Sequence, residues 1–209
     1  FITHKNYKSP ILIGNSLGGH VTLVYVKRHP EDVQAMVLTG SSGLYENALG
    51  GTFPKREDYN FIKTKVEYTF YDTKNATKEL VDEVYEIVNN KAKLIRILSL
   101  AKSAIRHNMS DDLQDMKLPT CLIWGKQDTI TPPDVAKEFH RLIPHSELFW
   151  VDKCGHAPMM EQAQAMQEQM KPTEMELSVV VSDDITTWSW TSLNDLVDDW
   201  PLYPSPSPR

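Results

Sequence analysis

Pro10-Ile11-Leu12-Ile13-Gly14-Asn15-Ser16-Leu17-Gly18-Gly19-His20 is the stretch whose reading decides the fold. Ile11 to Ile13 is a short apolar run of the kind a buried strand needs. Gly14-Asn15-Ser16-Leu17-Gly18 then follows the pattern G-x-S-x-G, and a helical stretch over residues 21–28 is stopped by Pro30. Strand, sharp turn with serine at its tip, then helix is the setting that pattern needs. Strand and helix pass close together at such a turn, so a side chain at Gly14 or Gly18 is expected to clash. Ser16 is expected at the C-terminal end of the strand, near the positive dipole end of the helix. The N–H of Leu17 is then placed to donate to a developing oxyanion. A glycine-rich turn with no chemistry fits the same pentapeptide, so the decision rests on distant partners.

Outward from the turn, the helix extends over residues 19–28 and residues 33–39 read as a second strand. Strand, helix, strand over so short a span is a βαβ unit, which implies parallel pairing. Gly40-Ser41-Ser42-Gly43 ends it. Residues 44–110 change character. A Gly-rich loop runs to residue 54, and apolar residues then recur at helical spacing, among them Phe61, Val66, Phe70, Leu80, Val84, Leu94, Ile95 and Leu98. Thr77 is expected to cap a helix. A helical insertion between two sheet strands cannot lie in the sheet, and it is expected over one end, as a cap above Ser16.

Thr120-Cys121-Leu122-Ile123-Trp124-Gly125 reads as the third strand and Leu148-Phe149-Trp150-Val151 as the fourth, with a helix over residues 134–142 between them. Asp128 lies in the loop after the third strand, and His156 in the loop after the fourth. Ser16, Asp128 and His156 therefore each follow a strand, and in a parallel sheet those ends share one edge, where ligands bind. A serine hydroxyl is a poor nucleophile until a base takes its proton, and histidine titrates in the right range. An acid would hold the imidazole tautomer. Simpler roles fit the same residues: Asp128 as a turn acid, His156 as a satisfied loop histidine, His20 as structural or solvated, His107 on a solvated helix face. Met159 and Met160 line a pocket or fill core.

Composition narrows the class. The 209 residues are 41% hydrophobic and 24% charged, which suits one soluble domain. No apolar run approaches the roughly 20 residues that cross a bilayer, and residues 1–8 show no secretory signal. The net charge of -6 is carried by residues 162–209, where Lys171 and Arg209 face eight acids. Nothing is basic enough to track nucleic acid. The two cysteines, Cys121 and Cys154, make neither a zinc pattern nor a disulfide framework, so a reduced, cytoplasmic setting is the default. Cys154 reads as a small packing residue. Asn75-Ala76-Thr77 and Asn108-Met109-Ser110 match glycosylation sequons, without meaning in that setting.

Gly14-Asn15-Ser16-Leu17-Gly18-Gly19, Trp124-Gly125-Lys126-Gln127-Asp128 and Gly155-His156, in this order, resemble the α/β-hydrolase superfamily from about residue 9 to about residue 161. The resemblance implies an α/β fold: the C-terminal half of a parallel α/β-hydrolase sheet with a helical cap insertion. Residues 1–43 and 111–170 would form the core, 44–110 the cap, and 171–209 a tail of uncertain structure. It implies Ser16 as nucleophile, His156 as base, Asp128 as orienting acid and the Leu17 N–H in the oxyanion hole, with no metal and no cofactor. Within the superfamily the elbow and insert look like esterases and the carbon–carbon hydrolases of aromatic ring-cleavage pathways. The expected function is hydrolysis of small carboxylic esters through an acyl-enzyme. A carbon–carbon hydrolase of keto acids with the same triad, or a non-catalytic binder of a small ligand, are the alternatives. Small molecules are the expected partners, with no nucleic acid and no membrane.

Two departures from the family carry expectations of their own. The strands and the second oxyanion donor that the family places before the elbow strand are not in the sequence, which is expected to be an N-terminally truncated chain of very low or no activity. The family's long C-terminal helix begins over residues 162–170 and is then interrupted by Lys171-Pro172. Residues 175–181 read as a strand, and Trp188, Trp190 and Trp200 in an acidic context and a Pro/Ser tail follow.

Overall fold

Four strands pair in parallel in the order β1-β2-β3-β4: β1 (Ile11–Asn15), β2 (Ala35–Thr39), β3 (Thr120–Gly125) and β4 (Ser146–Val151). The computed structural model describes residues 2, 4–47 and 55–170; the tail and strand expected beyond residue 170, and most of the Gly-rich loop, lie outside the described residues. The register aligns Asn15 with Thr39, Thr39 with Ile123, and Ile123 with Phe149. The loops after β1, β3 and β4 therefore leave from one edge of the sheet.

Side chains alternate across a strand, and both faces of this sheet are covered. Met36 and Leu38 of β2 and Leu122 and Trp124 of β3 turn to one side. There they meet Leu23 and Val26 of helix α1 (Leu17–Arg28), Leu113 of α5 (Ser110–Leu113), and Val135, Ala136, Phe139 and Leu142 of α6 (Pro133–Leu142). Ala35, Val37, Ile123 and Val151 turn to the other side with Cys154 and Met166. Two short helices, α7 (Pro158–Glu161) and α8 (Ala163–Gln169), lie along β3 and β4 on that side. Phe139 is fully buried, with its ring 5.7 Å from that of Trp124. Truncating such a side chain to alanine costs about 3–5 kcal/mol.

Helix α1 starts at the elbow itself, two residues before the expected start at Gly19, and β1 continues through Gly14 and Asn15. β2 begins at Ala35, later than expected, and β4 at Ser146, earlier. These are end effects, because the last ladder bonds depend on the neighbouring strand.

The inserted segment is helical, as its spacing predicts: α2 (Tyr59–Glu67), α3 (Lys78–Asn89) and α4 (Lys91–Arg106). Each start has a side-chain cap. Asp58 accepts from Phe61 N at 3.1 Å, Thr77 from Leu80 N at 3.3 Å, and Asn90 from Ala92 N and Lys93 N at 3.1 Å. Ile62, Val66, Phe70 and Val81 make a small core that also takes in Ala157, the residue after His156. Helix α4 leaves several of its apolar side chains exposed. Leu94 is buried, whereas Ile95, Ile97 and Leu100 are exposed. Helical spacing in α4 reports the helix and not the burial of each apolar position.

Candidate active site

The elbow is built as its glycines suggest, with one correction. Ser16 sits at φ 51°, ψ -120°, a region that costs a non-glycine residue about 1–3 kcal/mol. Three backbone bonds hold it there. Ser16 N donates to Thr39 O at 3.0 Å, and Ser16 O accepts from Ser42 N at 2.9 Å and His20 N at 3.2 Å. A Cβ at Gly14 would lie 2.5 Å from Gly18 O, so that close passage is real. A Cβ at Gly18 would meet nothing within 4 Å, so the expected clash at Gly18 is wrong. The crowded position is Gly19, whose Cβ would fall 2.2 Å from Ser41 Oγ. Gly18 lends its backbone to the contact, and its own side-chain direction is open.

Asp128 and His156 come together. His156 Nδ1 lies 2.9 Å from Asp128 Oδ2, and the two residues are 6% and 3% exposed. The carboxylate is otherwise fully engaged. Its Oδ1 accepts from Ile130 N at 2.9 Å and Thr131 N at 3.0 Å, and its Oδ2 from Thr131 Oγ1 at 2.8 Å. With Nδ1 directed at the acid, Nε2 is the ring nitrogen left to exchange a proton. Gly40, at φ +47°, runs directly beside this pair. A Cβ there would lie 2.9 Å from His156 Nδ1 and 3.1 Å from Asp128 Oδ2.

Ser16 is tied to the pair through its neighbour. Asn15 Nδ2 donates to His156 O, Thr39 O and Thr39 Oγ1, each at 3.0 Å. Among the described residues no side-chain hydrogen bond joins Ser16 to His156. Leu17 is the first residue of α1, so its N–H has no intrahelical acceptor. Asn15 and Thr131 were not expected as site residues. Pro132 occupies the cap position of α6, and the Thr131 hydroxyl serves Asp128.

The remaining candidates fall elsewhere. His20 is buried, neither solvated nor isolated: its Nε2 lies 3.1 Å from His107 Nδ1 with the rings within 2° of parallel. Its Nδ1 is buried with no hydrogen-bond partner among the described residues. Burial, and then the neighbouring His107, push its pKa below the ordinary value against the opposing pull of Glu46. Cys154 is buried beside the site. Burial, and then the charge of Glu161, lift its thiol above the usual range. Burial pushes Cys121 up to about 12. Met159 packs between the insert core and the sheet, and Met160 is 46% exposed. Among the described residues no cluster of three or more His, Cys, Asp or Glu could hold a metal, and no helix is long and apolar enough to cross a membrane.

A parallel sheet with a serine elbow after one strand, an acid after a second and a histidine after a third defines an α/β hydrolase. Comparison with known proteins agrees: the chain belongs to the family described as serine aminopeptidase, S33, whose model matches residues 1–163. Lipase 1 of Psychrobacter immobilis is 25% identical over 164 residues, covering 71% of this chain and 50% of the lipase. MGS-MChE2, an α/β hydrolase from the sediment metagenome of the Mar Chica lagoon in Morocco, is 46% identical with a TM-score of 0.62, over 81% of this chain and 63% of that one. The 2-hydroxy-6-oxo-6-phenylhexa-2,4-dienoate hydrolase of Rhodococcus sp. strain RHA1 is 25% identical with a TM-score of 0.70, over 82% of this chain and 67% of that one. The chain thus spans about half the length of the curated lipase that it matches.

Proposed function

We propose that this chain carries the nucleophile, base and acid of a serine hydrolase acting on small carboxylic esters. The observation that supports it best is the buried Asp128–His156 pair at 2.9 Å, with His156 O bonded to Asn15, the residue next to Ser16. In this reading Ser16 Oγ attacks the ester carbonyl carbon and its proton passes to His156 Nε2. Asp128 stabilises the imidazolium and keeps the Nδ1 proton directed at itself. The Leu17 N–H donates to the oxyanion of the tetrahedral intermediate. The C–O bond then breaks and the leaving alkoxide takes the proton from His156. Water attacks the acyl-enzyme while His156 takes a proton from it, and the acid is released as Ser16 recovers its own.

Residues 44–110 are the cap in this reading. The segment at the end of α2 supports it, because Thr69 O accepts from His156 N at 2.9 Å and Tyr68 O from Thr129 Oγ1 at 3.3 Å, both at the sheet's C-terminal edge. The likeness to a lipase favours oxygen esters, while the likeness to a dienoate hydrolase keeps carbon–carbon cleavage as the second reading. A cytoplasmic location and a reduced Cys121 and Cys154 belong to the same proposal.

A fluorophosphonate probe with mass-spectrometric mapping tests the triad. Labelling is expected at Ser16, lost in Ser16→Ala and reduced about 100-fold or more in His156→Ala. A folded chain labelled elsewhere, or not at all, overturns the reading. Esters and a dienoate compared on the same preparation separate the two chemistries.

A further inference from the structure

We infer that Glu161 is a positioning residue for His156, acting as a carboxylate strut between the histidine loop and the helical insert. This rests on the reading of His156 as the catalytic base. Glu161 ends the short helix α7, and its two oxygens are used separately. Oε1 accepts from Gly155 N at 2.7 Å, and Oε2 accepts from Tyr71 N at 2.6 Å. One bond reaches the loop immediately before His156. The other reaches the insert, just past the end of α2.

These two bonds close a circuit. His156 N donates to Thr69 O at 2.9 Å, so residues 69–71 lie along residues 155–156, and Glu161 spans the far end. The contact leaves no room for a side chain at Gly155. A Cβ there would lie 2.7 Å from Thr69 O, 2.9 Å from Tyr71 N and 3.1 Å from Glu161 Oε1. Glu161 N in turn donates to Ala157 O at 3.0 Å, and Ala157 packs into the insert core with Ile62, Val66, Phe70 and Val81. The residue before His156, the residue after it and its own N–H are all anchored to the insert. Its carbonyl is anchored to the elbow by Asn15.

The chemistry of the position calls for a carboxylate. Its two main-chain partners are N–H donors, the Cys154 thiol also lies 3.8 Å from Oε1, and only a carboxylate offers two acceptor oxygens with no hydrogen of its own. A glutamine would turn an NH2 toward one of the two N–H groups, and an aspartate would be a methylene short. Neither partner of Glu161 is a reacting group. Its effect on catalysis passes through the loop: displacement of residues 69–71 displaces His156, so the seating of the insert and the aim of the base are one event.

The test compares Glu161→Gln and Glu161→Asp in the full 209-residue chain, each also carrying Ser16→Ala so that no chemistry is needed. Amide hydrogen exchange at Gly155 and Tyr71 and the low-field proton resonance of His156 Nδ1–H are followed by NMR. Glu161→Gln is expected to keep the fold while exchange at both amides rises about tenfold or more, and the His156 resonance broadens or is lost. Glu161→Asp should restore part of each effect. Unchanged exchange, or faster exchange with an unaltered His156 resonance, overturns the inference. Global unfolding of both variants overturns it as well, because the role would then be structural alone. The hydrolase reading is decided separately by labelling of the parent chain at Ser16, so its failure is distinguishable from failure of the strut.

Discussion

Asn15 Nδ2 donates to the main-chain oxygen of His156 at 3.0 Å, across 141 residues of sequence. The same amide also reaches Thr39 O and Thr39 Oγ1, so one side chain at the elbow links β1, β2 and the histidine loop. In the proposed triad, the placement of His156 relative to Ser16 is therefore held by a residue that has no part in proton transfer. Replacing Asn15 by alanine leaves three acceptors without this donor. A fall in Ser16 labelling of about 10-fold to 100-fold is expected, at about 1–3 kcal/mol of lost hydrogen bonding. Labelling rates and thermal melts on the two chains check it; equal labelling at equal stability refutes it.

Asp128→Asn should be more severe in function than in stability. The asparagine oxygen can still accept from Ile130 N and Thr131 N, which holds the loop. Its NH2 then faces His156 Nδ1 and favours the wrong tautomer. Labelling at Ser16 should drop by about 10³–10⁴-fold while the fold persists. A drop of less than tenfold in a folded variant would remove Asp128 from the triad.

Gly18→Ala and Gly19→Ala, adjacent in sequence, should separate. A Cβ at Gly18 meets open space on a helix, where alanine is favoured over glycine by up to about 1 kcal/mol. A Cβ at Gly19 would fall 2.2 Å from Ser41 Oγ and 3.2 Å from Gly14 O, which forces α1 off the sheet. Overpacking of that kind costs about 1–3 kcal/mol. Denaturant midpoints should therefore rise or hold for Gly18→Ala and fall for Gly19→Ala. The reverse order would mean that the elbow is packed differently.

The His20–His107 contact should make stability depend on pH. Burial and the neighbouring imidazole lower the pKa of His20, so the folded chain binds fewer protons there than the unfolded chain. Stability from the neutral ring is then complete above the ordinary histidine pKa of about 6.5 and is lost progressively as pH falls below it. Glu46 opposes the shift and narrows the window. Denaturant midpoints at several pH values should fall on acidification, with a shallower slope in His20→Gln. An identical slope in that variant would assign the loss to other groups.

Residues near one another in sequence were readable in advance. The apolar run of Ile11 to Ile13, the serine turn and the Thr77 cap each depend on a few neighbouring residues, and periodicity or capping chemistry reports them directly. The order of serine, acid and histidine behind three strands was readable too, because parallel strands put those ends on one edge. Glycine spacing was misleading at Gly18, since the crowded position is Gly19, against Ser41, which the loop after β2 delivers to the elbow. Burial along α4 was misleading as well: Leu94 packs and Ile95 does not, although both are apolar and adjacent.

The amino-acid order thus determined the kind of sheet, the elbow and the placement of Ser16, Asp128 and His156 behind three parallel strands, because each follows from local pattern or strand polarity. The tertiary structure alone decided which polar neighbours hold those groups. Thr131 serves Asp128, Asn15 reaches His156, Glu161 spans to Tyr71, and His20 meets His107. Hydrogen bonds between segments depend on separations of a few tenths of an ångström, and no periodicity along a chain encodes such a distance.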